Sequence, residues 1–155
     1  MRNSSSILGH TTMLTGVTEI DSQHQFLVDT LVDAKAELAE KTGGPAFDQI
    51  TRDLLSYAIY HFETEEELMR RHGYQTAAPE AAALHLAEHR RFSERIVALR
   101  ASAHLGEASA NKALLQFLEE WLTKHILTID KHLGRFICAA TASPGGETTR
   151  TGTRE

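Results

Sequence analysis

Apolar positions recur along most of this chain with the spacing of a single helix face. His24, Leu27, Leu31, Ala34 and Leu38 step by three and four, which predicts an amphipathic helix with one inward seam. The same stepping carries Phe47, Ile50, Leu54, Tyr57, His61, Glu65, Leu68 and His72. A third stretch places Ala82, His85, His89, Phe92, Ile96, Leu99 and Ala103 on one face, and a fourth runs from about Ala110 through Leu114, Leu118, Trp121, His125 and Ile129. The punctuation between them agrees. Asp21 or Ser22 suits the first cap, Gly43-Gly44 an end and Pro45 a first turn. Gly73 stops the second helix, Pro79 opens the third and Gly106 closes it. Gly134 is expected to end the fourth, with Phe136 and Ile137 packing back. The prediction is an all-α, up-down-up-down four-helix bundle over residues 20–140. An N-terminal arm covers 1–19. A polar, aperiodic tail over 141–155, TASPGGETTRTGTRE from Thr141 on, is expected to be disordered.

Composition narrows the class without naming a function. A chain of 155 residues has room for one core, and 41% apolar with 24% charged residues is ordinary for a soluble globule. A net charge of −5 argues against a nucleic-acid partner, which needs a basic stripe. Cys138 is the single cysteine, so an internal disulfide and a cysteine-based zinc site are excluded. No apolar run approaches the roughly 20 residues that span a bilayer, and the first ten residues lack the apolar core of a secretory signal. A cytoplasmic protein with no membrane partner is the expectation. The unusual number is nine histidines.

Several of those histidines stand on the apolar seams, where an unpaired polar group is costly. The seams carry His24 on the first helix, His61 with Glu65 on the second, His85 with His89 on the third, and His125, followed by Asp130, on the fourth. Taken singly, each has an ordinary explanation: a solvated residue at a helix start, or a pair hydrogen-bonded one turn apart. Five imidazoles and two carboxylates on four seams are not explained one at a time. Charged Glu65 and Asp130 inside a core need cations, and a dinuclear metal site uses all seven residues together.

One competing motif is present. HLAEH at 85–89 fits H-x-x-E-H, a zinc-peptidase signature with Glu88 as base. Glu88 falls one residue off the seam, however, and that reading leaves His24, His61, Glu65, His125 and Asp130 without a role. The spacing of His125 and Asp130 poses a separate problem, because five steps turn about 140° around a regular helix. A local widening, an approach of Asp130 from the helix flank, or an early helix end would each reconcile it. We expect a continuous helix with Asp130 reaching in from the flank, and rank widening second.

GVTEIDSQH (16–24), HFETEEELM (61–69), HLAEH (85–89) and WLTKHILTID (121–130) together resemble the hemerythrin family in its bacterial single-domain form. The family pattern is a lone His, then H-x-x-x-E, H-x-x-x-H and H-x-x-x-x-D on successive helices, and the resemblance covers about 20–135. It implies two Fe ions with an oxo or hydroxo bridge, forming a non-haem centre that binds O2 reversibly. Carried over, His85, His89 and His125 hold one iron, His24 and His61 hold the other, and Glu65 and Asp130 bridge them. The family pattern also points to Leu27, Phe62, Phe117, Trp121 and Leu122 as an apolar O2 pocket. One departure is visible: the arm has no aromatic residue before Phe26. His10, His72, His104 and His132 match no ligand position.

O2 carriage, storage or sensing is the function this implies, with a binding protein favoured over an enzyme. The alternatives are a di-iron enzyme acting on peroxide or nitric oxide, and a redox- or O2-sensing regulatory module.

Overall fold

In the computed structural model, which describes residues 13–40, 45–104 and 108–142, all regular structure is helical and no strand occurs among those residues. Helix α1 spans Thr18–Glu40, α2 Pro45–His72, the short α3 Tyr74–Ala77, α4 Pro79–His104 and α5 Ala108–Lys124. A π-helical turn, His125–Asp130, joins α5 without a break to α6, Lys131–Ala142. Helix α1 packs on α2 and α5, α4 packs on α5 and α2, and α6 also meets α2. No helix among the described residues is long and apolar enough to cross a membrane.

Two apolar clusters hold these helices together. The larger includes Leu27, Leu31, Leu54, Phe62, Phe92, Ile96, Leu114, Leu118, Leu122 and Ile126. The smaller gathers Ile20, Leu68, Met69, Tyr74, Ala82, Leu133 and Ile137. Each fully buried Leu, Ile or Phe contributes about 1.5–3 kcal/mol by leaving water. The order along each helix is informative. Going along α1, Ile20 belongs to the small cluster, His24 follows, and Leu27 belongs to the large one. In α2, His61 and Glu65 fall between Ala58 of the large cluster and Leu68 of the small one. In α4, His85 and His89 separate Ala82 from Phe92. His125 and Asp130 lie between Leu122 and Leu133. The polar seam residues therefore form a layer with apolar packing on either side.

The punctuation holds in part. Pro45 and Pro79 do open helices, and α2 stops before Gly73, whose φ of 69° is the left-handed conformation that glycine adopts without a Cβ penalty. The Gly43-Gly44 and Gly106 stops lie outside the described residues, as do the first 12 residues of the arm and residues 143–155 of the tail.

Two expectations fail. The first helix is not capped by Asp21 or Ser22 but starts at Thr18, within the range assigned to the arm. Asp21 instead reaches back. Its carboxylate accepts from Thr15 N and Thr15 Oγ1, both at 2.8 Å, and from Gly16 N at 3.2 Å, so it clasps the arm to the helix. Gly134 does not end the fourth helix, which continues to Ala142. That glycine is present because the arm crosses there: a Cβ on Gly134 would stand 2.5 Å from Thr15 O. Met13, from the same arm, is buried in the large cluster.

Candidate metal centre

Each long helix delivers its polar residues to one place. His24 comes from α1, His61 and Glu65 from α2, His85 and His89 from α4, and His125 and Asp130 from the two ends of the π turn. All seven are buried, and the Glu65 and Asp130 side chains have no exposed surface. Their donor atoms fall into two groups, each with every ligand atom within 4.8 Å of the others. One contains His85, His89, His125, Glu65 and Asp130, and the second His24, His61, Glu65 and Asp130.

The carboxylates belong to both groups because each divides its oxygens between them. Glu65 Oε2 lies 2.8 Å from His85 Nε2 and 3.1 Å from His89 Nε2, while Oε1 lies 2.9 Å from His61 Nε2 and 3.8 Å from His24 Nε2. Asp130 Oδ1 lies 2.9 Å from His125 Nε2 and 3.1 Å from His85 Nε2. Its Oδ2 lies 2.8 Å from His24 Nε2 and 3.8 Å from His61 Nε2.

These separations fit donors gathered around an ion better than donors bonded to one another. Neighbouring donors of an octahedral ion with bonds of about 2.1 Å stand about 3.0 Å apart. Glu65 Oε1, Asp130 Oδ1 and His125 Nε2 have atoms at 2.9 Å and yet make no hydrogen bond. Their angles are wrong for it, because the lone pairs converge on a shared centre. Buried polar atoms left in that state are rare without a ligand. The residues present fit two cations.

Charge points the same way. Burial and the neighbouring Asp130 charge push Glu65 up, but His61 and His24 outweigh both and hold it well below the usual carboxylate range. Burial likewise opposes ionisation of Asp130, and His125, His24 and His61 hold it well below the usual range. The imidazoles respond in turn. Burial pulls His61 down, yet the Glu65 charge and the closeness of the Asp130 and Glu65 carboxylates lift it to about 10. Burial also opposes His85, which the adjacent Asp130 and Glu65 carboxylates raise to about 9, and the same two carboxylates raise His24. Protons do in the metal-free protein what cations would do in the loaded one.

The π turn resolves the five-residue spacing. The flank approach expected for Asp130 is not what occurs: the helix is continuous but widened from His125 to Asp130. Hydrogen bonding from i to i+5 in such a turn brings residues five apart to nearly the same face.

The apolar wall is aromatic. Phe62 stacks on His89 with ring centroids 3.9 Å apart, and Trp121 stacks on His125 at 4.2 Å. Leu27 and Leu122 are buried in the same cluster as Phe62. Phe117 stands further back, stacked on Phe92, which in turn meets both Phe62 and Trp121.

Glu88 is in neither donor group and pairs with Arg91 at 3.1 Å. His132 receives the Tyr74 hydroxyl contact at 2.7 Å, His72 is half-buried, and His10 and the side chain of His104 lie outside the described residues. Sequence reasoning missed Gln23 and Glu66, which meet the outer nitrogens of His61 and His89. Neither lies on a seam at helical spacing from the ligands, so periodicity carried no signal for them.

A helical protein with a buried histidine–carboxylate cluster able to hold two cations is the class that fold and site define. The chain belongs to the hemerythrin family: the Hemerythrin HHE cation binding domain matches residues 15–137. A bacteriohemerythrin of Methylococcus capsulatus (strain ATCC 33009 / NCIMB 11132 / Bath) is 30% identical over 81% of this chain and 91% of its own length. The bacteriohemerythrins of Pseudomonas paraeruginosa (strain DSM 24068 / PA7) and Stenotrophomonas maltophilia (strain R551-3) are 28% and 30% identical. They cover 75% and 72% of this chain and 71% and 68% of their own lengths. No solved structure matches significantly.

Proposed function

We propose that this protein binds O2 reversibly at a non-haem di-iron centre inside an up-down-up-down four-helix bundle. The observation that carries the reading is the division of Glu65 and Asp130, each with one oxygen toward one histidine group and one toward the other. In this reading His85, His89 and His125 hold one iron, His24 and His61 hold the other, and the two carboxylates bridge them. The irons, when bound, supply the electrons that O2 binding needs. The chain's own residues hold and shield them.

The first group offers five protein donors and the second four, so the second leaves more of its ion's surroundings to a small exogenous ligand. Phe62, Trp121, Leu27 and Leu122, with Phe117 behind, form the proposed O2 pocket and keep water from the centre. Binding is favoured over catalysis because the residues proposed for the pocket, Leu27, Phe62, Trp121 and Leu122 with Phe117 behind, hold no transferable acid–base proton.

Metal analysis of the purified protein should give two irons per chain. The reduced protein should gain a visible band in air and lose it under argon. One zinc, or no metal, overturns the centre. Irreversible bleaching with turnover of added peroxide overturns reversible binding in favour of an enzyme.

A further inference from the structure

Each imidazole of the centre turns Nε2 inward, which leaves Nδ1 facing the surrounding protein. Two of these outer nitrogens meet polar side chains, one in each donor group. His61 Nδ1 stands 2.7 Å from Gln23 Oε1, and His89 Nδ1 stands 3.2 Å from Glu66 Oε1.

Proton direction at Gln23 follows from its neighbours. Thr64 Oγ1 donates its one proton to Tyr60 O at 3.1 Å. Its oxygen must therefore accept from Gln23 Nε2, at 3.0 Å. That contact turns the Gln23 amide nitrogen toward Thr64 and its carbonyl toward His61. His61 then carries a proton on Nδ1, and Nε2 keeps its lone pair for the centre. Glu66 has no proton to give as a carboxylate, so His89 Nδ1 is the donor there and Nε2 is again the free lone pair. The two acceptors differ in kind. Gln23 is neutral and buried, whereas the Glu66 side chain is anionic and 43% exposed, within a surface pocket it shares with His89, Glu63 and Arg90.

We propose that Gln23 and Glu66 are the positioning residues of the two metal positions, and that the contrast between a neutral and an anionic acceptor makes those positions unequal. The inference rests on the di-metal reading above and adds to it. An anion behind an imidazole raises the basicity of the inward nitrogen, while an amide only orients the ring. The position held by His85, His89 and His125 therefore binds its ion more tightly and favours the ion's higher oxidation state. The position held by His24 and His61 is the weaker one.

The test is a titration of the full-length metal-free protein with Co2+ under argon, joined to reduction potentials of the iron-loaded protein. The native chain should take up two equivalents in two resolvable steps. E66Q keeps an acceptor of the same shape and removes the charge, so it should weaken the tighter equivalent by about tenfold to a hundredfold and raise the reduction potential. Q23L removes the acceptor and should weaken the other equivalent by a similar factor, with Q23E restoring it. Wild-type uptake of two equivalents with both constants unchanged in E66Q and Q23L would overturn this inference and leave the di-metal reading standing. Equal weakening of both equivalents by Q23L would overturn it as well, since general packing would then explain the loss. Uptake of fewer than two equivalents by the native chain would overturn the di-metal reading itself.

Discussion

At the scale of single residues, the centre separates side chains that look alike in sequence. His85 and Glu88 both belong to HLAEH, but His85 Nε2 touches Glu65 and Asp130 while Glu88 turns to Arg91. His85→Ala should drop the metal content below two ions per chain, whereas Glu88→Gln should leave it unchanged. Metal loss in the second variant would restore the H-x-x-E-H reading. Phe62 makes a second residue-scale prediction. It is buried and stacks on His89, so Phe62→Ala removes both packing and shielding. Stability measured by denaturant unfolding should fall by about 3–5 kcal/mol, and azide should reach the loaded centre faster. An unchanged azide rate would show that this ring does not guard the metals.

At the scale of elements, the π turn and the arm each carry an expected outcome. Deleting Ile129 converts H-x-x-x-x-D into H-x-x-x-D and removes the reason for the widening. The turn should revert to regular α-helix, in which a step of four returns to nearly the same face, so Asp130 and the α6 face that carries Leu133 and Ile137 should keep their orientation. Both ions should therefore be retained with stability little changed; loss of metal would show that the widened turn itself, and not the face it presents, places Asp130. Gly134→Ala tests the arm. In an exposed helix interior, alanine gains about 1 kcal/mol over glycine. Here the new Cβ meets the Thr15 backbone at 2.5 Å, so the arm must move and Met13 loses its seat in the core. The expected result is a net loss of about 1–3 kcal/mol in denaturant unfolding. A gain in stability would show that the arm yields without cost.

At the scale of the whole molecule, the buried layer couples folding to protons and metal. Two signs apply to the metal-free protein. Glu65 and Asp130 are held below their ordinary range, so their contribution is present above about pH 4 and is lost as pH falls through their lowered values. His61 and His85 are raised to about 10 and about 9, so theirs is complete below about pH 6.5 and is lost as pH rises through those values. Metal-free protein should therefore be most stable between about pH 5 and 6.5 and should weaken steadily toward pH 10. Metal binding works in the opposite direction, because cations need imidazoles without their inward protons. The Tm difference between loaded and chelated protein should thus widen from pH 6 to pH 9. A difference that is flat with pH would show that the imidazoles do not hold the metal.

Much of this was readable along the chain because helix geometry is local. A period near 3.6 placed His61 above Glu65 and His85 above His89, and prolines at 45 and 79 marked two helix starts, without any knowledge of the partners. The same period put His24, His61, Glu65, His85, His89 and His125 on inward faces, where burial cost implies cations, but not Asp130. Other features depend on what a segment meets in space. Gly134 reads as a helix end until the arm is seen crossing it, and Asp21 reads as a cap until its carboxylate is seen holding Thr15 and Gly16. Gln23 and Glu66 have no periodic relation to His61 and His89, since the contacts run between helices. The choice between a flank approach and a π turn at Asp130 likewise belongs to the assembled molecule. One carboxylate must reach imidazoles from three other helices, and the backbone of its own helix widens to allow it.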